Sequence, residues 1–433
     1  MIAMIGLVGG LLLLTTLALR GWNLFIAAPF CALIVGLTGG VPIFPDGGEH
    51  AFVTTYMDGF ASFVAAWFLM FLLGSLFGKF MEDTGSADSL ARFIVDRLGM
   101  QHAVAAVVIA CAILTYGGVS VFIVAFSVYP MALSLFKDAN LPRRFIPGAL
   151  AFGSVTFTMT SAGSPEIQNW IPIKFLGTSP YAAWEVSLIV AVFMAIAGFW
   201  WIKRMIAEAV AKGEHFEHRP GDPEIPERDY PHPGTGLVPL LVVLGVSFFF
   251  HEAYSQYALI LALGGGCVAI MAINFSHFHN MNRAINDGTT GALIAIGNTS
   301  AVVGFGTVAK ASPAFAVAVS AMTGIPGSEL IGAAIAVTVI AGLTGSASGG
   351  LSIALPVLAP YYQTTDVNMD QLHRISSIAS GALDSLPHNG YVVTTIRAIC
   401  RETHRSAYWP VFALTVVIPM IGLVMAVTLM HWI

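Results

Sequence analysis

The sequence predicts an all-α polytopic membrane protein with ten spanning helices and two re-entrant hairpins. These are arranged as two inverted-topology repeats with broken helices at the midplane. Three observations carry that expectation: a composition too apolar for water, apolar stretches of bilayer length, and two halves that read alike. Of 433 residues, 56% are hydrophobic and only 10% charged, with a mean hydropathy of +0.79. A soluble domain carries about 25% charged residues, so the solvent of this chain is largely lipid. The net charge of −5 and the absence of a basic run argue against nucleic acid as a partner. Cys31, Cys111, Cys267 and Cys400 lie far apart in apolar surroundings and read as buried free thiols. No metal-ligand spacing appears, and no cofactor is expected. Residues 1–19 have an apolar run without a basic n-region and read as a retained helix.

About 20 apolar residues cross a hydrocarbon core. The spans read at roughly 2–19, 22–38, 52–80, 145–175, 184–202, 237–250, 257–275, 288–310, 375–398 and 407–431. Trp22, Trp170, Trp184, Trp200, Trp201, Trp409 and Trp432 sit near their ends, as an interfacial belt requires. The polar segment 203–236 separates a first repeat (1–202) from a second (237–433). Residues 82–100 alternate charge with Leu90, Phe93, Ile94 and Leu98 and predict an amphipathic helix on the membrane surface. Asp58, Glu185, Glu252, Asp287 and Glu329 lie near span ends and read as snorkelling to the interface.

Two apolar stretches, 102–136 and 328–362, are interrupted midway by small residues. Half of such a stretch is about 15 residues, or roughly 22 Å of helix, too short for about 30 Å of hydrocarbon. Each is therefore one long tilted helix or a hairpin that turns back at its glycines. Positively charged residues collect on the cytoplasmic side. With two hairpins and an outside N-terminus, 16 Lys and Arg fall inside and three outside, namely Lys174, Lys310 and Arg374. With two single crossings the split is 9 to 10. The hairpin topology follows, with both termini periplasmic and the linker 203–236 cytoplasmic.

The halves also match in order. Leu114-Thr115-Tyr116-Gly117-Gly118 parallels Leu343-Thr344-Gly345-Ser346-Ala347, Ser161–Pro165 parallels Asp384–Pro387, and Tyr181–Trp184 parallels Ala407–Trp409. Five spans per half place the second copy upside down, the signature of secondary transporters whose solute site lies where discontinuous segments meet at the midplane.

Each half has one span broken by polar residues: Thr160-Ser161-Ala162-Gly163-Ser164-Pro165-Glu166 in 145–175, and Asp384-Ser385-Leu386-Pro387-His388-Asn389-Gly390 in 375–398. Proline removes an N–H and clashes with the preceding turn. Unwound backbone at membrane depth must line a cavity or pack on protein. With the two hairpin tips, four polar breaks result, whose half-helix N-termini favour an anion. The expected solute-binding groups are hydroxyls and backbone amides at Thr115, Gly117, Gly118, Ser120, Thr160, Ser161, Gly163, Ser164, Thr344, Gly345, Ser346, Ser348, Gly349, Ser385 and Asn389. Glu166, Asp384 and His388 are the ionisable side chains read as deep within spans, and so are candidate proton carriers. Capping of the broken helix ends would account for them equally. Asn298-Thr299-Ser300 lies within a span and lines the path or bonds a neighbouring helix. With no Arg or Lys expected in the cavity, a monocarboxylate is favoured over citrate or phosphate esters.

At Ser161–Asn169, Gly345–Ser352 and Asp384–Gly390 the sequence resembles the gluconate permease (GntP) family of the ion transporter superfamily. The last segment resembles its short hydroxy-acid branch, which carries 3-hydroxybutyrate and similar acids. The resemblance covers the whole chain. It implies a bacterial inner-membrane proton symporter for gluconate or a related hydroxy acid, working as a homodimer with an elevator-like carrier domain. Dicarboxylate relatives carry Ser-Asn-Thr at both hairpin tips and bind sodium there. Neither tip of this chain has that motif, which favours protons over sodium. A sodium-coupled carboxylate symporter or a sodium/proton antiporter on the same scaffold is the alternative. An enzyme would need a nucleophile–base pair or a metal cluster, and His277 and His279 have no carboxylate near them in sequence.

Overall fold

The computed structural model describes residues 1–20, 22–45, 51–98, 102–219, 222, 229–323 and 329–432. Arg228, most of the central proline-rich part of the linker, residues 99 and 100 of the amphipathic stretch and the first residue of the second hairpin fall outside them.

The described residues are helical and contain no strand. The first half runs α1 (Ile2–Leu19), α2 (Leu24–Thr38), α3 (Phe52–Asp83), α4 (Ser86–Leu98), α5 (Ala103–Tyr116), α6 (Val121–Asp138), α7 (Ile146–Ala151), α8 (Ile171–Leu176) and α9 (Trp184–Ala211). The second runs α10 (Pro233–Tyr254), α11 (Ala258–Asn274), α12 (Met281–Ala311), α13 (Pro313–Thr323), α14 (Glu329–Thr344), α15 (Ala347–Tyr362), α16 (Met369–Ala382), α17 (Gly390–Val393), α18 (His404–Phe412) and α19 (Ile418–Trp432). Among the described residues, six helical stretches are long and apolar enough to cross a bilayer by themselves. With 32 residues, α3 is about 48 Å long. It packs along α12 more extensively than any other pair of elements.

The order of elements recurs. A helix pair, a long helix, a shorter helix, a helical pair around a glycine turn, an interrupted helix and a long helix follow one another twice. Gly118 and Gly345, in the two glycine turns, both have positive φ, +96° and +60°. The third matched pair of segments does not hold the same position in both halves: Tyr181 lies in the turn ahead of α9, Tyr408 inside α18.

Both interrupted apolar stretches turn back on themselves. In the first, α4 packs on both α5 and α6, so the two open ends share one level. In the second, Gly350 of α15 lies against Ala341 of α14, and a Cβ on that glycine would meet the Ala341 Cα at 2.6 Å. Its open ends also meet, since Glu329 and Thr365 to Asn368 line one surface pocket.

Polar contacts tie the loops into two rims. Arg143 Nη1 pairs with Asp222 at 2.9 Å, Arg143 Nε with Glu402 at 3.3 Å, and Arg219 Nη2 with Glu402 at 3.0 Å. These bonds join the α6–α7 connection, the linker and the α17–α18 connection at one end. At the other, Thr178 Oγ1 bonds His373 Nδ1 at 2.6 Å and Gln363 donates to the Phe175 carbonyl at 3.0 Å. The 28 residues of α9, about 42 Å, run from the second rim to the first. A single crossing at 328–362 would carry Glu402 to the rim opposite Arg143, so this contact fits a second stretch that turns back.

Several boundaries differ from the sequence reading. The apolar-charged stretch begins with the last turn of α3, which continues to Asp83. From Ser86, α4 buries Ala87, Leu90, Ala91 and Ile94 against α5 and α10, so its apolar face is taken up by protein. Residues 313–323, unassigned by hydropathy, form α13. All four cysteines are free and buried.

Candidate functional site

The first broken span loses α-geometry at Phe152, where a π-turn runs to Thr156. It regains helix at Ile167–Asn169 and α8. Gly163 (φ +78°) makes the turn between, its N–H donating to the Pro180 carbonyl at 3.0 Å. The Ser161 hydroxyl donates to the Phe157 carbonyl at 2.5 Å, and the Ser164 hydroxyl accepts the Glu166 N–H at 3.4 Å. The Ser164 carbonyl receives Asn169 Nδ2 at 3.2 Å and Trp170 Nε1 at 3.0 Å. The polar groups that break the span therefore also satisfy the freed backbone. Thr160 is buried, and Glu166, capping the short turn that follows, is half-buried.

In the second broken span, α16 stops at Ala382 and α17 starts at Gly390. Asp384 is buried and accepts from the Ser385 hydroxyl at 2.9 Å. The Ser385 carbonyl accepts from Tyr408 Oη at 3.2 Å. Asn389 caps α17 by accepting the Val392 N–H at 3.0 Å.

Each hairpin tip rests on the break of its own half. Tyr116, at the end of α5, donates its hydroxyl to the Ala162 carbonyl at 2.7 Å, and Gly118 lies against Pro165. At the second tip, Asn389 Nδ2 donates to the Gly345 carbonyl at 3.0 Å. The His388 ring lies over Gly345 so closely that a Cβ there would meet its Cδ2 at 2.5 Å. Thr344 donates to the Ala341 carbonyl at 3.1 Å, and Ser346 caps α15 by accepting the Gly349 N–H at 3.1 Å. Ser348 lies 3.4 Å from Ser346, hydroxyl to hydroxyl. Thr115 is buried beneath the first tip, and Gly117 and Ser120 flank its turn ahead of α6.

The halves then meet through these pieces. Phe122, in the first turn of α6, stacks edge-on against Tyr391, in the first turn of α17, with centroids 5.5 Å apart. α15 packs on the Ile167–Asn169 turn and on α8. Gly381, one turn before Asp384, touches Thr160 of the other break. The candidate residues of both tips and both breaks are thus brought into one connected region at the centre of the molecule. Two helices, α6 and α15, begin there after Ser120 and Ser346, and their N–H groups favour negative charge; the short segments after Glu166 and Asn389 open in the same region.

One side chain corrects the sequence reading. Arg374, counted there among the residues outside the membrane, is fully buried on α16. Its guanidinium reaches into the first break, donating Nη1 to Thr160 O at 2.7 Å and to Asn169 Oδ1 at 2.8 Å. Nε donates to Ala182 O and Nη2 to Pro180 O, each at 3.0 Å. His373 beside it is also fully buried. Hydropathy started the span at 375, whereas the helix starts at Met369. The available signal was periodicity: Arg374, Ser377, Gly381 and Asp384 recur at helical spacing on one face. Ser377 donates to Gln168 O, and Gly381 meets Thr160. Since the hydrogen bonds of Arg374 go to protein groups, its charge reaches the site as a field rather than as a ligand.

No protein-family model matches the chain. YxjC of Bacillus subtilis (strain 168), described as an uncharacterized transporter, is 35% identical over 94% of this chain and 94% of its own. The chain belongs to that family of transporters. A gluconate permease of Pseudomonas aeruginosa is 29% identical over 100 residues, 23% of this chain and 20% of its own. The crystal structure of the YdaH transporter of Alcanivorax borkumensis covers 97% of this chain and 98% of its own with a TM-score of 0.55 at 14% identity, a likeness of fold alone. The chain is therefore a multi-pass membrane protein with a transport role.

Proposed function

We propose that the protein is a secondary active symporter that moves a small hydroxy-monocarboxylate together with protons by elevator-like alternating access. The observation that carries this reading is the meeting of two hairpin tips and two broken helices, two pieces from each half, around a buried carboxylate, Asp384. The half-helix N-termini bind the carboxylate of the solute through backbone N–H groups. Ser120, Ser348 and the free face of Thr160 complete the hydroxyl contacts. Asp384, with His388 and Glu166 beside the tips, carries the proton. The carrier comprises α5–α9 and α14–α19. It moves against a scaffold of α1–α4 and α10–α13 in each subunit of a homodimer. The rim holding Arg143, Arg144, Arg219 and Arg401 faces the cytoplasm, by the rule that positive charge stays inside. Both termini then face the periplasm across the bacterial inner membrane. The 29%-identical segment shared with a gluconate permease supports the solute class.

Uptake into proteoliposomes tests the reading. Gluconate, 3-hydroxybutyrate, lactate and citrate are offered with an inward pH gradient, with an inward sodium gradient, and with neither. Accumulation of a hydroxy-monocarboxylate on the pH gradient is expected. Accumulation on sodium alone would favour a sodium-coupled carrier, and sodium-driven pH change without acid uptake would favour an antiporter.

A further inference from the structure

A cavity of about 920 Å³ lies apart from the meeting point of the two halves. It is a crevice between α9 and α10, walled at the back by Tyr116 and Gly117 of the first hairpin tip and by Ser161 and Ala162 of the first break. One face of α10 lines it from Leu237 to Glu252, a rise of about 22 Å along the helix. Its walls are overwhelmingly apolar. Its mouth is framed by Trp184, Leu188, Leu241 and Phe248, each more than half exposed. In a membrane-spanning protein these residues face hydrocarbon. The polar groups of the crevice gather at one end, where Glu252 and His251 lie beside Tyr181. The Tyr181 ring sits 4.8 Å from His251 and 5.5 Å from Phe248, centroid to centroid. Trp184 stands at that same end, the level at which tryptophan marks the edge of the hydrocarbon.

We propose that this crevice holds one acyl chain of a bilayer phospholipid, with its head group at the Glu252 end and its tail reaching the first hairpin tip. The volume lies within the range of ligand pockets. Water in a space so lined would lack hydrogen-bond partners, and an empty space would forfeit the dispersion contacts of its walls. A chain entering sideways from the bilayer supplies those contacts without first crossing water. The occupant sits between the first tip and break on one side and α10 on the other, so it wedges the two apart. This inference requires only that the protein spans the membrane and holds whatever solute is carried.

Photo-cross-linking tests it on the full chain in proteoliposomes containing a phospholipid with a diazirine on one acyl chain. Adducts are expected on residues 184–191 and 237–248 at several times the yield on the outward face of α11, around Val268. Ala191→Trp and Ala112→Trp fill the crevice from two different walls. Either should cut crevice labelling several-fold and leave the Val268 region unchanged. Equal labelling around the whole apolar surface, or crevice labelling untouched in both variants, would overturn the proposal. So would displacement of the label by millimolar gluconate or 3-hydroxybutyrate, which would make the crevice part of the solute route.

Discussion

Asn389 bridges the second break and the second hairpin tip with both ends of its amide. Nδ2 donates to the Gly345 carbonyl and Oδ1 accepts the Val392 N–H, each at 3.0 Å. One side chain therefore starts a half-helix and fixes the glycine turn that faces it. Asn389→Ala removes a cap worth about 0.5–2 kcal/mol and a cross-tie worth about 1 kcal/mol. Asn389→Asp keeps the cap and loses only the donor. In a thermal-shift assay the alanine variant should unfold well below wild type and the aspartate variant between them. Both should lose uptake, because both release the tip.

Gly345 holds φ at +60° with the His388 ring against it. Alanine there costs about 1–2 kcal/mol of backbone strain and also pushes the imidazole away. Gly177 separates the two effects, since it has φ +66° and open space where a Cβ would go. Gly177→Ala should show the strain alone, with near-normal uptake per folded molecule. Gly345→Ala should lose uptake at least tenfold. Equal uptake in the two variants would show that the position of His388 is immaterial.

Arg374 makes four hydrogen bonds from α16, two to the first broken span and two to the turn ahead of α9, none of them to a carboxylate. Removing it takes a donor from four buried acceptors, and each one left unsatisfied costs about 1–3 kcal/mol, although the Pro180 carbonyl keeps the Gly163 N–H and Asn169 Nδ2. Arg374→Leu should fail to yield a monodisperse protein in detergent. Arg374→Lys keeps the charge but not the planar fork. It should fold with a lowered unfolding midpoint and weakened solute binding in a direct binding assay.

Much of this architecture is legible in the residues, and the reason is physical. Lipid admits few backbone solutions, so the breaks at Gly163-Ser164-Pro165 and Pro387-His388-Asn389 announce themselves, as do the turns at Gly118 and Gly345. Hydropathy, however, measures the average of a window. It starts the second broken span at 375 and so sets Arg374 outside, although a guanidinium ringed by carbonyl oxygens is stable at depth. It also passed over α13, whose 11 residues are too few to cross. Which hydroxyls remain for a solute could not be read from sequence either. Ser161, Thr344 and Ser346 bond their own backbone, and only three-dimensional geometry reveals that.

Asp384 is buried just beyond the end of α16, one turn after the Gly381 that meets Thr160, and the proposed mechanism loads its proton with the solute. Asp384→Asn cannot cycle a proton but keeps the shape. Accumulation driven by a pH gradient should be abolished, while counterflow exchange of labelled for unlabelled solute persists. A variant that still accumulates solute against its gradient would move the proton to Glu166 or His388. Glu166→Gln and His388→Gln, run in parallel, then identify which.

The linker provides a pH test outside the membrane. Burial alone would raise the Asp222 carboxyl. The Arg143 hydrogen bond, the Arg219 N–H and the charges of both arginines outweigh it and hold the group below the usual aspartate range. Glu214 is likewise lowered, chiefly by its hydrogen bond from Arg144. A carboxyl depressed in the folded state contributes stability above its unfolded pKa, about 4, and loses that contribution as pH falls through the folded value. Hydrogen exchange of residues 213–219 should therefore be steady from pH 7 to 5, after correction for intrinsic rates, and rise only below about 4. Asp222→Asn should show faster exchange already at pH 7. Loosening between pH 7 and 5 would overturn control of the tether by these carboxylates.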